Sequence, residues 1–360
     1  MRHVVVCYQP GRFNGWPANG GIWRWGQEIL VSFNHGVYRY YGYTHNIDQS
    51  QPMAIAFARS EDGGESWQFE VMDDLYSRPA QPIPEAGFDF GHPGFALRVG
   101  RPAVGISGDT FVVSYDRGHT WQGPYAFPDM GCPLTSRTCY EVRGPQRMDL
   151  YASWQDPALA HFSFSDQSFI LRTEDGGRTW RKLPNMTDAH ARAVMPDVVR
   201  TPQGALVAAL RRKTDRLLCG QEEARRLRRA GQEPPRQEDN WIEIVRSEDD
   251  GANWVFAARA GETARGMGRN GNPPALACLP DGRLALVFGY RGERPSIKAR
   301  VSADGGFTWG EEIILRDDPL THDIGYPRLA VRPDGKLVAV YYYTSADMPE
   351  QHIEATIFSV

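Results

Sequence analysis

One short string recurs five times in this chain of 360 residues: SEDGGESW at Ser60–Trp67, SYDRGHTW at Ser114–Trp121, TEDGGRTW at Thr173–Trp180, SEDDGANW at Ser247–Trp254 and SADGGFTW at Ser302–Trp309. Successive starts lie 54, 59, 74 and 55 residues apart. A repeat at such a period marks an array of similar supersecondary units. The string has the chemistry of a tight hairpin turn. Its Asp accepts hydrogen bonds from turn N–H groups, its Gly takes a positive φ, and its Trp returns the chain to an apolar layer. These five aspartates are therefore read as structural rather than catalytic.

A second unit runs between the turns: an apolar strand, a tight turn and another apolar strand. Pro196–Leu210, Pro274–Phe288 and Pro327–Tyr341 show it most clearly, and Ile22–Phe33 is a weaker copy turning around Gly26. His92–Val113 and Leu150–Leu171 are read as two more. Six units of roughly four strands each are the arithmetic of a propeller, here one domain over residues 1–360. Arg2–Cys7 and Ile353–Val360 are expected to meet and close the ring, which removes exposed sheet edges. The charged stretch at about 213–240, containing EEARRLRRAGQEPPRQ, accounts for the 74-residue interval and reads as a solvated excursion between two strands of one blade.

The rest of the composition excludes several classes. A net charge of −4 lacks the basic excess of a general nucleic-acid binder. No apolar run approaches the roughly 20 residues needed to span a bilayer, and the start MRHVVVCYQP has no signal-peptide core. The expectation is a cytoplasmic protein without a membrane partner. Cys7, Cys132, Cys139, Cys219 and Cys278 fit neither a metal pattern nor a disulfide framework. Neither metal nor cofactor is expected. The glycine-rich GMGRNGNPP at Gly266–Pro274 follows no strand–helix pattern and reads as a loop at a channel mouth, where Asn270 and Asn272 are placed to touch a ligand.

The five strings resemble the Asp-boxes, or BNR repeats, of the sialidase (neuraminidase) superfamily, and the likeness extends over nearly the whole chain. It implies an all-β fold, a six-bladed β-propeller with Asp-box turns. It also implies an exo-glycoside hydrolase that releases a terminal acidic sugar, such as sialic acid or a related nonulosonic or ulosonic acid, by a retaining mechanism with a tyrosine nucleophile. The partner is then an acidic glycan or glycoconjugate. Sialidase chemistry pairs that tyrosine with a carboxylate, adds an aspartate acid/base and grips the substrate carboxylate with three arginines. A phenol suits a sugar whose anomeric carbon already bears a carboxylate, because a carboxylate nucleophile would meet charge repulsion. Arginine grips a carboxylate through paired charge-assisted hydrogen bonds.

The resemblance assigns these roles residue by residue. In GYPRLAVRPDGKLVAVYY, Tyr326 stands where the nucleophile does, nine residues before Gly335, and strand alternation puts Arg328 on its face as a substrate contact. In MPDVVRTPQGALVAALRR, Arg211 takes a triad position. Met195 occupies the place of the tyrosine's glutamate partner, and Asp197, two residues on, is the candidate substitute. In FGYRGERPSIKARV, Arg294 has the family's spacing to the turn, whereas Arg291 ends an apolar strand as Arg211 does. The expected R-I-P motif is missing from NGWPANGGIWRWG, so Arg137 in TSRTCYEV is the candidate to complete the triad. Asp48 in YGYTHNIDQSQP is the candidate acid/base, with His45 as substrate contact or alternative acid/base. The departures leave two further readings open: a propeller hydrolase or lyase for a different acidic glycan, and a glycan-binding propeller without turnover.

Overall fold

The computed structural model describes residues 1–42, 45–100, 110–129, 134–135, 137–155, 166–188, 191–232, 234–265 and 270–360. They form six antiparallel sheets, the blades of a β-propeller. The first blade joins Arg12–Gly15 and Ile22–Trp25, both paired to Glu28–Val37, with Ala54–Ser60 and Gln68–Met72. The second holds Ala96–Gly100, Thr110–Ser114 and Gln122–Ala126, and the third Tyr140–Gly144, Arg147–Gln155, Asp166–Thr173 and Arg181–Lys182. Arg192–Arg200, Leu206–Leu217, Arg236–Ser247 and Val255–Arg265 make the fourth. Pro274–Cys278, Leu284–Tyr290, Ser296–Ser302 and Ile313–Arg316 make the fifth. The sixth runs from Gly325–Val331 through Leu337–Tyr343 and His352–Phe358 to Arg2–Cys7.

That last pairing closes the ring. Arg2 to Cys7 pair antiparallel with Ile357 to Ile353, so the strand nearest the amino end is the outer strand of the final blade. It also explains why six blades carry five recurrent turns. Each turn leads into the outer strand of its blade, and in the sixth blade that strand comes from the other end of the chain.

The turns are built alike. In the first, Gly64 N donates to Ser60 Oγ at 2.7 Å, Ser66 N to Asp62 Oδ1 at 2.9 Å and Ser66 Oγ to Asp62 Oδ2 at 2.6 Å. Trp67 Nε1 donates to Gly64 O at 3.0 Å. The same Asp-centred bonds recur at Asp116, Asp175, Asp249 and Asp304. Gly64 takes φ +92°, and a Cβ there would come 3.0 Å from Val338 of the neighbouring blade, so glycine serves both the turn and the blade-to-blade fit.

Two readings of the repeat units change. Leu150 and Leu171 lie on paired strands, but the strand starting that blade is Tyr140–Gly144, one strand earlier. Its alternation is masked by the polar YEVRG, of which no residue is fully buried. In His92–Val113, Ala96–Gly100 pairs with Thr110–Ser114, while residues 101–109 lie outside the described chain. The charged excursion forms the end of a long hairpin: strands of 12 residues each extend the fourth blade and carry the helix Gln221–Arg229 between them.

Blade faces pack through layers of Val, Leu, Ile and Phe between adjacent sheets. One cluster, including Phe13, Phe33, Val338, Tyr342 and Ile353, seals the first blade to the sixth. It extends inward to Val194, Met195 and Tyr326, which places the site within the packing rather than on a loop.

Candidate functional site

Two inner strands begin with the same irregularity. In the sixth blade, Gly325 pairs with Tyr342 but Arg328 with Val340, so three residues face two. In the fourth, Val194 pairs with Arg211 and Asp197 with Ala209, the same one-residue bulge. The bulged residues Tyr326 and Met195 have φ +50° and +57°, a left-handed conformation that side-chain-bearing residues adopt at a cost of about 1–3 kcal/mol. Asn272 holds the first of them: it is wholly buried, and its Oδ1 accepts the Tyr326 N–H at 2.9 Å. Gly325 and Gly289 leave room for that amide, since a Cβ on them would come 2.2 and 2.6 Å from Asn272 atoms.

The bulge aims the Tyr326 phenol at a cluster of cations. Arg211 Nη1 donates to Tyr326 Oη at 3.2 Å and meets Met195 Sδ at 3.7 Å. The Arg211 and Arg291 guanidinium carbons lie 5.8 and 5.5 Å from the centre of the Tyr326 ring. Burial by itself would push the phenol up. The positive field of Arg211, Arg291, His45 and Arg137 outweighs it and brings Tyr326 down to about 7. Burial also lowers Arg211, partly offset by the adjacent phenol.

Behind the phenol lies a carboxylate that the sequence reading did not single out. Asp323 is buried and bonded on every side. His45 Nδ1 donates to its Oδ1 at 2.7 Å, the Tyr342 hydroxyl to Oδ1 at 2.5 Å and Gln351 Nε2 to Oδ2 at 3.1 Å, with Arg291 Nη2 at 3.6 Å. Burial works against its charge, but His45 and Arg291 hold it below the usual carboxylate range. The bond to Asp323 fixes the His45 ring and leaves Nε2 as its other nitrogen. The imidazole packs edge-on to Trp16 with ring centres 4.9 Å apart. The cue in the sequence was the dipeptide His322–Asp323, its Asp three residues before Tyr326, a polar pair leading into a largely apolar strand.

The structure separates other residues that the sequence grouped. Asp197 is two residues from Met195, but the bulge breaks the alternation. Its Oδ1 accepts the Cys139 thiol at 3.2 Å and its Oδ2 the Leu276 N–H at 3.0 Å, with Arg328 at 3.9 Å, and burial pushes its carboxyl up. No hydrogen bond joins Asp197 to Tyr326 among the described residues. Arg328 is likewise turned from Tyr326: its Nη2 donates to Ala18 O and Thr138 O, both at 2.6 Å, bracing three blades along the axis. Arg291 is buried and spans Ile324 O, Asn270 O and the Tyr342 hydroxyl, whereas Arg294 is exposed on the following loop. Arg137 is half-buried within the field of the phenol.

Asp48 sits in a turn of its own. Ser50 N and Oγ donate to its Oδ1 at 3.0 and 2.6 Å, and Arg39 approaches Oδ2 at 3.5 Å. The Ser50 bonds and then Arg39 hold its carboxyl below the usual range, the opposite of what a proton donor needs. Asn272 is spent on the Tyr326 backbone, and Asn270 Oδ1 accepts from Lys213 Nζ at 3.2 Å. At the opposite ends of the inner strands, a cavity of about 490 Å³ is lined by Trp23, Arg24, Glu141, Arg200 and Cys278 among others, and none of the candidate residues faces it. Among the described residues, no group of three or more His, Cys, Asp or Glu is arranged to hold a metal ion.

No protein-family model and no curated protein matches the sequence. Solved structures do. A protein of unknown function from Dyadobacter fermentans superposes with TM-score 0.70 at 22% identity, covering 100% of this chain and 98% of that one. The α-L-arabinofuranosidase Arb93A of Fusarium graminearum gives 0.62 at 16%, with the same coverage. The NanB sialidase of Streptococcus pneumoniae gives 0.57 at 11%, covering 100% of this chain and 71% of that one. At these identities the likeness establishes a shared propeller fold, one that carries glycoside hydrolases of more than one specificity.

Proposed function

We propose that this chain is a retaining exo-glycoside hydrolase for a terminal anionic sugar, with Tyr326 as nucleophile. The observation that carries the reading is the phenol itself. It is buried, donated to by Arg211 at 3.2 Å and brought down to about 7 by surrounding cations. In this reading the guanidinium field replaces the carboxylate that would otherwise take the phenolic proton, which is why Met195 can stand at that position. The glycan carboxylate pairs with Arg211 and Arg137, while Arg291 positions Tyr326 and Asp323. Asp197 and Arg328 act as axial bracing, and Arg294 lies outside the grip.

The chemistry then follows. The Tyr326 phenolate oxygen bonds to the anomeric carbon as the bond to the leaving oxygen breaks, and that oxygen takes a proton from His45 Nε2. Water next attacks the same carbon, His45 takes back a proton, and Tyr326 leaves as phenolate with the sugar configuration retained. Asp323 orients the His45 ring through its bond to Nδ1, as a buried carboxylate does for an imidazole. Asp48, already ionised and held by Ser50, serves better as a fixed charge on the rim than as the acid.

A second reading draws on the arabinofuranosidase likeness, which covers nearly the whole of both chains. It has a neutral furanoside as substrate, with Asp323 and a second carboxylate at the reacting centre. A panel of aryl glycosides separates the two: sialoside, ulosonoside, glucuronide and arabinofuranoside. The first reading expects turnover of an anionic member, abolished by Tyr326→Phe at a loss of at least roughly a thousandfold in kcat. Turnover of the arabinofuranoside alone, or full activity in Tyr326→Phe, overturns it.

A further inference from the structure

Among the described residues, those other than glycine that hold a left-handed backbone are Trp16, Arg117, Met195, Asp250 and Tyr326. Arg117 and Asp250 lie inside recurrent turns, in SYDRGHTW and SEDDGANW. The remaining three stand together: Met195 and Tyr326 belong to the apolar cluster on which Trp16 also packs, and Arg211 bridges the first two. Backbone strain of this kind persists only where its surroundings over-determine it, and it gathers at working sites. The chemistry proposed above uses Tyr326 and accounts for Met195. It leaves Trp16 without a role.

Trp16 is held against two local preferences. Its φ of 59° and ψ of 50° are left-handed, although a residue before proline, here Pro17, is normally extended. Several contacts impose the conformation. Asn19 N donates to Trp16 O at 2.9 Å. Ala18 O accepts from Arg328 Nη2 at 2.6 Å, which pins the short turn Pro17–Gly20 to the axis. Phe13 packs on the indole with ring centres 4.8 Å apart. Gly15 leaves room for that phenyl ring, since a Cβ there would come 2.5 Å from it. The indole N–H is buried yet makes no hydrogen bond among the described residues, so the site uses the ring rather than its polar handle.

The indole's other ring partner is His45, with 4.9 Å between centres and 80° between planes. His45 sits on the loop between Glu28–Val37 and Ala54–Ser60, and 31% of its side chain is exposed. One hydrogen bond, from Nδ1 to Asp323 Oδ1 at 2.7 Å, ties the ring to the sixth blade. A single bond on a loop side chain fixes a point and not a plane, because χ1 and χ2 can still move together about it. Nε2 lies across the ring from that pivot and swings the most. A second contact off the hydrogen-bond axis fixes the plane, and the rigid indole of Trp16 supplies it.

We propose that Trp16 is a positioning residue for His45: its indole sets the plane of the imidazole and so aims Nε2 at the leaving oxygen. The catalytic consequence rests on the hydrolase reading, whereas the setting of the ring does not.

The test compares Trp16→Leu and Trp16→Phe with the wild type, alone and in the His45→Ala background, on alkyl and nitrophenyl glycosides of the sugar that is turned over. Trp16→Gly, which takes φ 59° freely, replaces the leucine variant if that one does not fold. Trp16→Leu is expected to lose about tenfold to a hundredfold in kcat on the alkyl glycoside, with KM little changed, and far less on the nitrophenyl one. Trp16→Phe keeps a ring and should retain most of the rate. In the His45→Ala background the leucine substitution should cost nothing further, because a residue that acts through His45 has nothing left to act on. Equal losses on both glycosides, or a loss that persists without His45, overturn the proposal in favour of a structural role. NMR of ring-labelled histidine reads the same claim without turnover, with His45→Ala identifying the signal. The wild type should show one sharp His45 resonance, which broadens or splits in Trp16→Leu as the ring takes more than one orientation. A signal that stays single and sharp in the folded leucine variant overturns the proposal. A wild type that cleaves no glycoside while Trp16→Leu broadens the signal refutes the hydrolase reading and leaves the positioning of His45 standing.

Discussion

Arg211 donates through one nitrogen to Tyr326 Oη at 3.2 Å, and the same nitrogen lies 3.7 Å from Met195 Sδ. One guanidinium therefore bridges two inner strands that open with the same left-handed bulge. With a thioether at the second bulge, no carboxylate among the described residues hydrogen-bonds the phenol, and Arg211 donates to it instead. The consequence concerns charge: the positive field of Arg211, Arg291, His45 and Arg137 brings the phenol down to about 7.

Arg211→Met removes the nearest source of that field. The Tyr326 pKa is expected to rise from about 7 toward the ordinary value near 10. With the phenolate as the proposed nucleophile, kcat/KM on the active aryl glycoside should increase with pH through the phenol's pKa, and the variant's limb should move up by the same interval. A pH–rate profile of the two proteins checks this. Met195→Glu should shift the limb in the same direction, because a new anion beside the phenol disfavours its ionisation.

His45→Ala should separate substrates by leaving group. Loss of a general acid costs about 10²–10⁴-fold on a poorly leaving alkyl glycoside and far less on a nitrophenyl glycoside that departs unprotonated. Asp323→Asn should produce the same separation to a smaller extent, through the His45 ring that it orients, whereas Asp48→Asn should not produce it. Rates of each variant on the two glycosides decide among them.

Asn272 and Gly325 predict a stability effect tied to activity. Asn272→Ala strips the partner from a buried N–H in a left-handed residue and should cost about 1–3 kcal/mol. Gly325→Ala forces a Cβ to 2.2 Å from Asn272 Oδ1 at φ +106° and should cost at least as much. Urea unfolding measures both, and each should also lower kcat by misplacing the phenol.

The recurrent turns predict the reverse, stability without activity. Asp304→Ala breaks the bonds to Ser302 and Thr308 and should cost about 1 kcal/mol, as a lost cap does, with unchanged turnover. Although burial opposes its charge, these bonds hold Asp304 down at about 2. Its contribution is therefore complete above the ordinary carboxylate pKa and disappears as pH falls through about 2. Acid unfolding of wild type and variant should converge at that low end.

The architecture was readable because its determinants are local. Ser60, Asp62, Gly64 and Trp67 satisfy one another within eight residues, so the string alone encodes the turn, and repetition encodes the ring. The site was less readable because its geometry depends on register. Strand alternation put Asp197 with Met195 and Arg328 with Tyr326, but one inserted residue at each bulge turned both charged groups toward the axis. Asp323 escaped notice for another reason: its bond to His45 joins residues 278 positions apart, and no local pattern announces such a pair.

The most direct measurement of the central claim is an NMR titration of ring-labelled tyrosine in the free protein, with Tyr326→Phe identifying the resonance. One tyrosine is expected to titrate near pH 7, absent from Tyr326→Phe and moved upward in Arg211→Met. Wild type should also gain stability over Tyr326→Phe as pH rises from about 7 toward 10. If every tyrosine stays protonated until the ordinary range near 10, the guanidinium field does not ionise the phenol and the proposed nucleophile is contradicted.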